Sequence, residues 1–177
     1  MIIEDPVILL VDDCENDVLL MCTVFERAGL GQPLRFARDG EQAVAYLSGE
    51  GDYSDRIKFP LPAAMLLDLN MPGKNGFEVL AWIRAQPGLK RLPVYVLSAS
   101  SRPEDIRRAY DLGASSYLVK PGTLDGLMHL AKILVAWLKL SHFAPLTATD
   151  APVPVIRHPV LAARFDTAAI LRFPSRP

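Results

Sequence analysis

Short, largely apolar runs alternate along this chain with segments of helical spacing, and this alternation limits the possible folds more than any other feature. A continuous apolar run suits a strand buried on both faces, as in a parallel sheet covered by helices. Five such runs occur, at Val7 to Val11, Leu34 to Ala37, Ala63 to Leu67, Pro93 to Leu97 and Ser116 to Val119. The pattern predicts an α/β domain with a doubly wound, five-stranded parallel sheet.

Turn-forming residues support the same boundaries. Gly29 and Gly113 are expected to end the first and fourth helices, because glycine readily adopts the left-handed conformation that closes a helix. Residues Gly49 to Pro62 are rich in Gly, Asp, Ser and Pro, and they predict a long surface loop before the third strand.

The last predicted helix, Thr123 to Leu140, is apolar on two sides. The first stripe consists of Leu127, Ala131, Leu134 and Leu138, and the second stripe consists of Leu130, Ile133, Trp137 and Leu140. The first stripe can pack on the sheet, whereas the second is too apolar for a face in water. We therefore expect a homodimer whose interface is the second stripe.

Residues 143–177 follow a different pattern. They contain six of the fifteen prolines and show no sustained period, yet they keep apolar residues such as Val160 and Phe165. We predict one domain over residues 1–142 and an extended Pro-rich arm over residues 143–177, which reaches across the partner in the dimer. The prolines leave no span for a DNA-binding helix-turn-helix, so neither an output domain nor a nucleic-acid partner is expected.

The composition suits an ordinary globular domain. A net charge of -1 argues against a basic nucleic-acid binder. Residues Met1 to Pro6 include Glu4 and Asp5 rather than the basic residues of a signal peptide, and no apolar run is long enough for a membrane span. A cytoplasmic protein without membrane contact is expected. Cys14 and Cys22 should stay reduced, because they lie too far apart on one helix for a disulfide.

Polar residues follow four of the five predicted strands. Asp12 and Asp13 come after the first strand, Asp68 after the third, Ser98 after the fourth and Lys120 after the fifth. Each residue alone has an ordinary explanation, such as a helix cap. The carboxyl ends of the strands in a doubly wound sheet share one edge, however, so we expect these side chains to meet there.

Three carboxylates at one edge would repel one another unless a cation neutralised them. Oxygen ligands with open positions suit Mg²⁺. With Lys120 across the site, a phosphoryl group could be held between the metal, the ammonium group and the Ser98 hydroxyl. The predicted chemistry is phosphoryl transfer to a carboxylate.

Four strings of the sequence resemble the receiver domains of two-component response regulators. They are ILLVDD at 8–13, LLDLNMPGKNGFEVL at 66–80, VLSAS at 96–100 and YLVKP at 117–121. The resemblance covers residues 7–140, and the strings occur in the family's order and spacing. Within the family, the stretch RAYDLGASSYLVKP and the long loop before the third strand resemble single-domain regulators partnered with bacterial and cyanobacterial phytochromes.

The resemblance implies a flavodoxin-like (βα)5 fold with Asp68 as the phosphoacceptor. The phosphoryl group would come from a phosphohistidine of a sensor histidine kinase, here a bacteriophytochrome. The resemblance also implies that Asp12, Asp13, the Asp68 carboxylate and the backbone carbonyl of Asn70 hold Mg²⁺. The chain would catalyse only its own aspartyl phosphorylation and dephosphorylation, and would not be an enzyme for other substrates.

The remaining site residues are assigned by the same resemblance. Ser98 would bond a phosphoryl oxygen through its hydroxyl, and Lys120 would neutralise another. Tyr117 is expected to be an aromatic switch that turns inward when Ser98 moves. Pro121 is expected to follow a cis peptide bond, which would turn Lys120 into the site.

Two alternative functions remain open from the residues. A phosphatase or phosphotransferase of the haloacid dehalogenase type also carries an aspartyl nucleophile after an apolar strand, as Asp68 is here. That type expects a general acid two residues later, where this chain has Asn70, and it gives no reason for the pair Asp12 and Asp13. A pseudo-receiver that only binds partners would not need the complete set of acidic, hydroxyl and ammonium groups.

Overall fold

The computed structural model describes residues 7–31, 34–141 and 146, in which five strands alternate with five helices. The strands are β1 (Ile8–Val11), β2 (Arg35–Ala37), β3 (Ala64–Leu67), β4 (Val94–Ser98) and β5 (Ser116–Val119). The helices are α1 (Glu15–Arg27), α2 (Gly40–Ser48), α3 (Gly76–Ala85), α4 (Pro103–Asp111) and α5 (Leu124–Leu140), and two short 3-10 helices cover Gly51–Tyr53 and Pro87–Leu89. Every predicted strand is present, within one residue of its predicted bounds.

The five strands form one parallel sheet in the order β2-β1-β3-β4-β5. This confirms the predicted doubly wound fold. The strand order reverses between β1 and β3, and at such a point the loops after two neighbouring strands lead to opposite faces and leave a cleft. β1 and β3 pair from Ile8 with Ala64 to Val11 with Leu67, so residues 12 and 68 emerge side by side.

Alternate residues of each central strand enter two cores, one on each face of the sheet. In β1, Ile8 and Leu10 belong to the core under α1 and α5, whereas Leu9 and Val11 belong to the core under α2 and α3. All four are at most 1% exposed. Because successive side chains of a strand point to opposite faces, a sheet covered on both sides needs apolar residues at every position.

The start of α3 is fixed against the end of β3. Asn75 accepts a hydrogen bond from the Glu78 backbone N–H, and the Glu78 side chain accepts one from the Asn75 N–H, which forms a capping box. A Cβ atom at Gly76 would collide with the carbonyl oxygen of Asp68. Glycine at this position therefore lets the helix start in contact with the backbone that carries Asp68.

The segment between α2 and β3 is a surface loop at its tip, where Ile57 is 96% exposed. It is also anchored to the domain, which the sequence did not predict. Arg56 donates from Nη1 to the Tyr46 carbonyl and from Nη2 to the Leu47 carbonyl, both at 2.8 Å. Tyr53 and Phe59 pack edge-on against each other, with ring centroids 5.0 Å apart, and extend the core under α2 and α3.

The two predicted apolar stripes of α5 differ in burial. The first stripe is buried, with Leu127, Ala131, Leu134 and Leu138 exposed by 9%, 1%, 8% and 3%. In the second stripe, Ile133 is 53% and Leu140 82% exposed, while Leu130 packs partly against the core. Trp137 is 45% exposed and contacts the Tyr95 ring edge-on, with centroids 5.3 Å apart. The predicted dimer interface thus lies largely on the surface of the single chain.

The predicted arm, residues 143–177, lies outside the described residues except for Leu146, which packs against the core under α2 and α3. No helix in the described part of the chain is long and apolar enough to cross a membrane. The thiols of Cys14 and Cys22 are free, as expected.

Candidate functional site

Three carboxylates meet at the carboxyl edge of the sheet, where β1 and β3 lie side by side. Asp12, Asp13 and Asp68 each offer an oxygen, and these oxygens all lie within 4.8 Å of one another. Asp12 is 1% and Asp68 8% exposed, whereas Asp13 is exposed to solvent. The fold therefore brings these three predicted residues together at one edge of the sheet.

Backbone N–H groups fix one oxygen of each buried carboxylate. Asp12 Oδ1 accepts from the Cys14 N–H at 2.9 Å, and Asp68 Oδ1 accepts from the Leu69 N–H at 2.8 Å. Burial raises the pKa of Asp68, the Lys120 charge lowers it, and the Asp12 charge raises it again, so that the net pKa lies above its ordinary value. Burial of Asp68 and the closeness of two further carboxylates make the ionised cluster unfavourable without a cation. A hard divalent cation with oxygen ligands fits this donor set.

Lys120 brings the positive charge of the site from the end of β5. Its Nζ donates to Asp12 Oδ2 at 2.6 Å and to Asp17 Oδ2 at 3.1 Å, and it lies 3.8 Å from Asp68 Oδ2. Burial lowers the pKa of Lys120, but the hydrogen bond to Asp12 and the charge of Asp68 outweigh this effect, so the net pKa is raised. The ammonium group is thus held in its charged form.

Pro121 does not follow a cis peptide bond, since none occurs in the described part of the chain, and this prediction was wrong. The Lys120 N–H donates to the Ser98 carbonyl at 2.8 Å and continues the β4–β5 pairing. The side chain reaches the site from there with the trans isomer. The trans form is also the preferred one for an X-Pro bond, by about 0.5–1 kcal/mol.

Ser98 and Asn70 lie on the opposite side of the site from Asp12. Ser98 ends β4 and is fully buried, and its Oγ accepts from the Asn70 side-chain amide at 3.4 Å and from the Ser100 N–H at 3.3 Å. The family resemblance implies a role for Asn70 only through its backbone carbonyl. The contact between its amide and the Ser98 hydroxyl adds a side-chain role that sequence spacing did not reveal.

Tyr117 is connected to Ser98 through the loop that follows β4. Its hydroxyl donates to the Ser100 carbonyl at 2.9 Å, and its half-buried ring packs beside a small core that includes Phe77 and Val96. Since the Ser100 N–H donates to Ser98 Oγ, one residue touches both the hydroxyl side chain of the site and the aromatic ring. This arrangement connects Ser98 with Tyr117, the two residues that the family resemblance implies move together.

A second charged cluster, the Ser100–Arg102–Asp105 clasp, was missed by sequence reasoning. Asp105, in the first turn of α4, accepts from the Ser100 hydroxyl at 2.6 Å and pairs with Arg102 at 2.8 Å. The hydrogen bond from Ser100 and the pairing with Arg102 outweigh burial and lower the pKa of Asp105. An acidic residue near a Pro-initiated helix start was the available signal, because carboxylates are favoured at helix N-termini.

Asp17 was also missed. It lies in the first turn of α1, and its side chain is 43% exposed. The sequence offered one indication, since an acidic residue one helical turn after Asp13 can face the same edge of the sheet. Its pairing with Lys120 joins residues 103 positions apart, however, and no local pattern reports such a contact.

Comparison with known proteins agrees with this arrangement. The family model described as response regulator receiver domain matches residues 8–132. The response regulator Rcp1 of Synechocystis sp. is 39% identical over 134 residues, which cover 75% of this chain and 89% of that protein.

Solved structures of similar proteins have the same fold. The phosphorylated cyanobacterial phytochrome response regulator RcpA is 38% identical, with a TM-score of 0.72, over 79% of this chain and 99% of that chain. The Mn²⁺-bound form of response regulator Rcp1 is 37% identical, with a TM-score of 0.72 and the same coverage.

Proposed function

The chain belongs to the response regulator receiver domain family and is related to phytochrome response regulators. From that premise we propose that Asp68 accepts a phosphoryl group from a histidine kinase in a Mg²⁺-dependent reaction. One observation carries the proposal: Asp68 lies in a cluster of three carboxylates, with the Lys120 ammonium 3.8 Å from its Oδ2. Phosphoryl transfer needs such a combination of acceptor, cation site and positive charge. Family membership leaves the haloacid dehalogenase alternative without support.

In this proposal Asp12, Asp13 and the Asp68 carboxylate, with the backbone carbonyl of Asn70, hold Mg²⁺, which supplies positive charge for the phosphoryl oxygens. The Leu69 N–H holds Asp68 Oδ1, and in this proposal Oδ2, which lies 3.8 Å from the Lys120 ammonium, attacks phosphorus. The bond from Oδ2 to phosphorus forms as the bond from phosphorus to the kinase histidine nitrogen breaks.

Lys120 and Ser98 then hold the transferred group. The Lys120 ammonium, 3.8 Å from Asp68 Oδ2, would donate to one phosphoryl oxygen, and the Ser98 hydroxyl would donate to another. Charge-assisted hydrogen bonds of this kind are stronger than neutral ones. Both groups already border the site, at the ends of β5 and β4.

The test is labelling of the chain with acetyl phosphate in the presence of Mg²⁺. Asp68→Asn should remove the label completely, while Asp125→Asn, an exposed aspartate in the first turn of α5, should keep it. Asp13→Asn should require more Mg²⁺ for the same labelling, because one ligand charge is lost. Unlabelled wild-type protein would favour the pseudo-receiver alternative, and labelled Asp68→Asn protein would exclude Asp68 as the acceptor.

We also propose that phosphorylation moves Ser98 and Tyr117 together and changes the face formed by α4, β5 and α5. The support is the connection from Ser98 Oγ to the Ser100 N–H and from the Ser100 carbonyl to the Tyr117 hydroxyl. A ligand shifts such an equilibrium only by its differential affinity for the two states. If Ser98→Ala and wild type showed the same NMR shifts on that face with a phosphoryl mimic, Ser98 would not be the coupling residue.

The kinase partner we propose is a histidine kinase of the phytochrome type. The support is that the similar protein RcpA is a phytochrome response regulator. A phosphotransfer profile against a panel of histidine kinases tests the pairing, since the cognate kinase should label the chain fastest. Preference for a kinase without a phytochrome sensor would contradict it. We propose action in the cytoplasm, where such a kinase would present its phosphohistidine.

A homodimer on the second α5 stripe is a further part of the proposal. Ile133 and Leu140 are more than half exposed, and burying such side chains stabilises by roughly 1.5–3 kcal/mol each. Residues 143–177 would reach across the partner. Truncation after Ser141 should lower the association constant in sedimentation, and Ile133→Glu should lower it further. An unchanged constant after truncation would refute the arm, and a monomeric full chain would refute the dimer.

A further inference from the structure

The Lys120 ammonium is shared unequally among three carboxylates. Nζ lies 2.6 Å from Asp12 Oδ2, 3.1 Å from Asp17 Oδ2 and 3.8 Å from Asp68 Oδ2. An ammonium group has three N–H donors, and two of them are engaged at hydrogen-bond distance by Asp12 and Asp17. The distance to Asp68 exceeds that of a hydrogen bond. The third N–H is left for a group attached to Asp68, and its direction is set by the contacts with Asp12 and Asp17.

Asp17 differs from the other carboxylates around Lys120. The cluster whose oxygens lie within 4.8 Å of one another consists of Asp12, Asp13 and Asp68, and Asp17 is outside it. Its side chain is 43% exposed, whereas that of Asp12 is 1% exposed. Asp17 thus contacts the lysine from the solvent side and does not belong to the proposed cation site.

We propose that Asp17 is a positioning residue that holds Lys120 at the rim of the site and competes with the phosphoryl group for its ammonium. This inference rests on the proposed function. When a cation engages Asp12, Asp17 is the acceptor that still holds the lysine. Because Asp17 and a phosphoryl oxygen near Asp68 both attract the single positive charge of Lys120, the Asp17 contact weakens the hold of the site on the phosphoryl group.

The contact itself can be tested without metal by a double-mutant cycle in urea denaturation. Asp17→Asn should lower the unfolding midpoint in the wild-type background and have no effect in a Lys120→Met background, because its partner is then absent. Glu15→Gln is the matched control. Glu15 lies in the same helical turn, but it pairs with Arg38 at 2.9 Å. Its effect should be equal in both backgrounds. Equal effects of Asp17→Asn in both backgrounds would overturn the contact.

A second measurement covers the case in which Lys120→Met does not fold. The Lys120 Nζ–H signal should be observable by NMR in the wild type, because held ammonium protons exchange slowly. Asp17→Asn should shift this signal or speed its exchange, because Asp12 alone then holds the ammonium, and Glu15→Gln should keep it. An unchanged signal in Asp17→Asn would contradict the proposal.

The competition is tested with beryllium fluoride, a phosphoryl mimic, at saturating Mg²⁺. Asp17→Asn should bind the mimic about two- to fivefold more tightly than wild type, as expected for loss of a partly exposed ion pair. Glu15→Gln should bind it as wild type does. Unchanged or weaker binding of the mimic by Asp17→Asn would overturn the competition. An equal gain in affinity from Asp17→Asn in the Lys120→Met background would also overturn it, because it would indicate a long-range charge effect. Failure of wild type to bind the mimic at all would instead count against the proposed function. The double-mutant cycle without metal would still test the contact between Asp17 and Lys120.

Discussion

Asp68, after β3, and Asp105, in the first turn of α4, are both 8% exposed, and they belong to neighbouring clusters at the carboxyl edge of the sheet. Asp68 shares its surroundings with Asp12 and Asp13 and has one ammonium group nearby, at 3.8 Å. Asp105 accepts a hydrogen bond from the Ser100 hydroxyl at 2.6 Å and forms an ion pair with the Arg102 guanidinium at 2.8 Å. Burial raises the pKa of Asp68, whereas the Ser100 hydrogen bond lowers that of Asp105.

The difference shows that equal burial can serve two purposes. A buried carboxylate that is paired and hydrogen-bonded is a stable structural element, and the clasp fixes the loop between β4 and α4. A buried carboxylate among other carboxylates destabilises the metal-free fold and is ready to bind a cation. Ser100 lies between the two regions, since its N–H donates to Ser98 Oγ and its hydroxyl donates to Asp105.

The largest expected effect is that of Mg²⁺ on stability. Metal at about a hundredfold above its Kd should raise the free energy of unfolding by about 2.7 kcal/mol, because it binds only the folded chain. Urea denaturation in Mg²⁺ and in EDTA measures the difference. Asp13→Asn should reduce the gain, whereas Asp105→Asn should keep it, since Asp105 lies outside the carboxylate cluster. Equal free energies of unfolding for wild type in Mg²⁺ and in EDTA would contradict a cation site at the carboxylate cluster.

Asp105→Asn should itself destabilise the chain near neutral pH. Because the fold lowers the pKa of Asp105, the unfolded chain binds its proton more readily. Its contribution is present above the ordinary pKa and is lost as the pH falls through the lowered value. Denaturation from neutral pH to about pH 3 should therefore give a flatter curve for Asp105→Asn than for wild type. Ser101→Ala, a neighbouring exposed position without a titratable side chain, serves as the control and should keep the pH dependence of wild type.

Asp68→Asn should act in the opposite direction when metal is absent. The pKa of Asp68 is raised, so the folded chain binds the proton more readily, and stability falls as the pH rises through the raised value. Removing the charge should raise the unfolding midpoint near neutral pH in EDTA and have little effect below the ordinary pKa. With Mg²⁺ the order should reverse, because wild type gains more from the metal. A lower midpoint for Asp68→Asn in EDTA would mean that Lys120 fully balances the cluster.

Ser100→Ala should have the smallest effect and sharpen the boundary between the two regions. It removes the hydroxyl that donates a hydrogen bond to Asp105. It leaves the Ser100 backbone carbonyl, which accepts a hydrogen bond from the Tyr117 hydroxyl. The loss of the short hydrogen bond to Asp105 should cost about 0.5–1.5 kcal/mol in the free energy of unfolding, and the longer one that the hydroxyl accepts from the Arg102 N–H at 3.3 Å is lost with it. The gain from Mg²⁺ should stay unchanged. Ser101→Ala, at an exposed position, should be nearly neutral, and an equal loss there would argue against the clasp.

The sequence by itself determined the sheet and the main residues at its edge. Apolar runs report burial on both faces locally, and the carboxyl ends of parallel strands must share one edge. The sequence therefore predicts that Asp12, Asp68 and Lys120 lie together, although Asp68 and Lys120 are 52 residues apart. The two apolar stripes of α5 could also be predicted from the sequence, because the spacing of residues along a helix is a local property.

The tertiary structure alone decided which groups pair at that edge. The contact of Lys120 with Asp17 spans 103 residues, and the Tyr117 hydroxyl meets the Ser100 carbonyl across 17. Such contacts depend on how helices and loops pack, which no local period encodes. The isomer before Pro121 was mispredicted for a related reason. The two isomers differ by only about 0.5–1 kcal/mol, so the surrounding contacts and not the dipeptide choose between them.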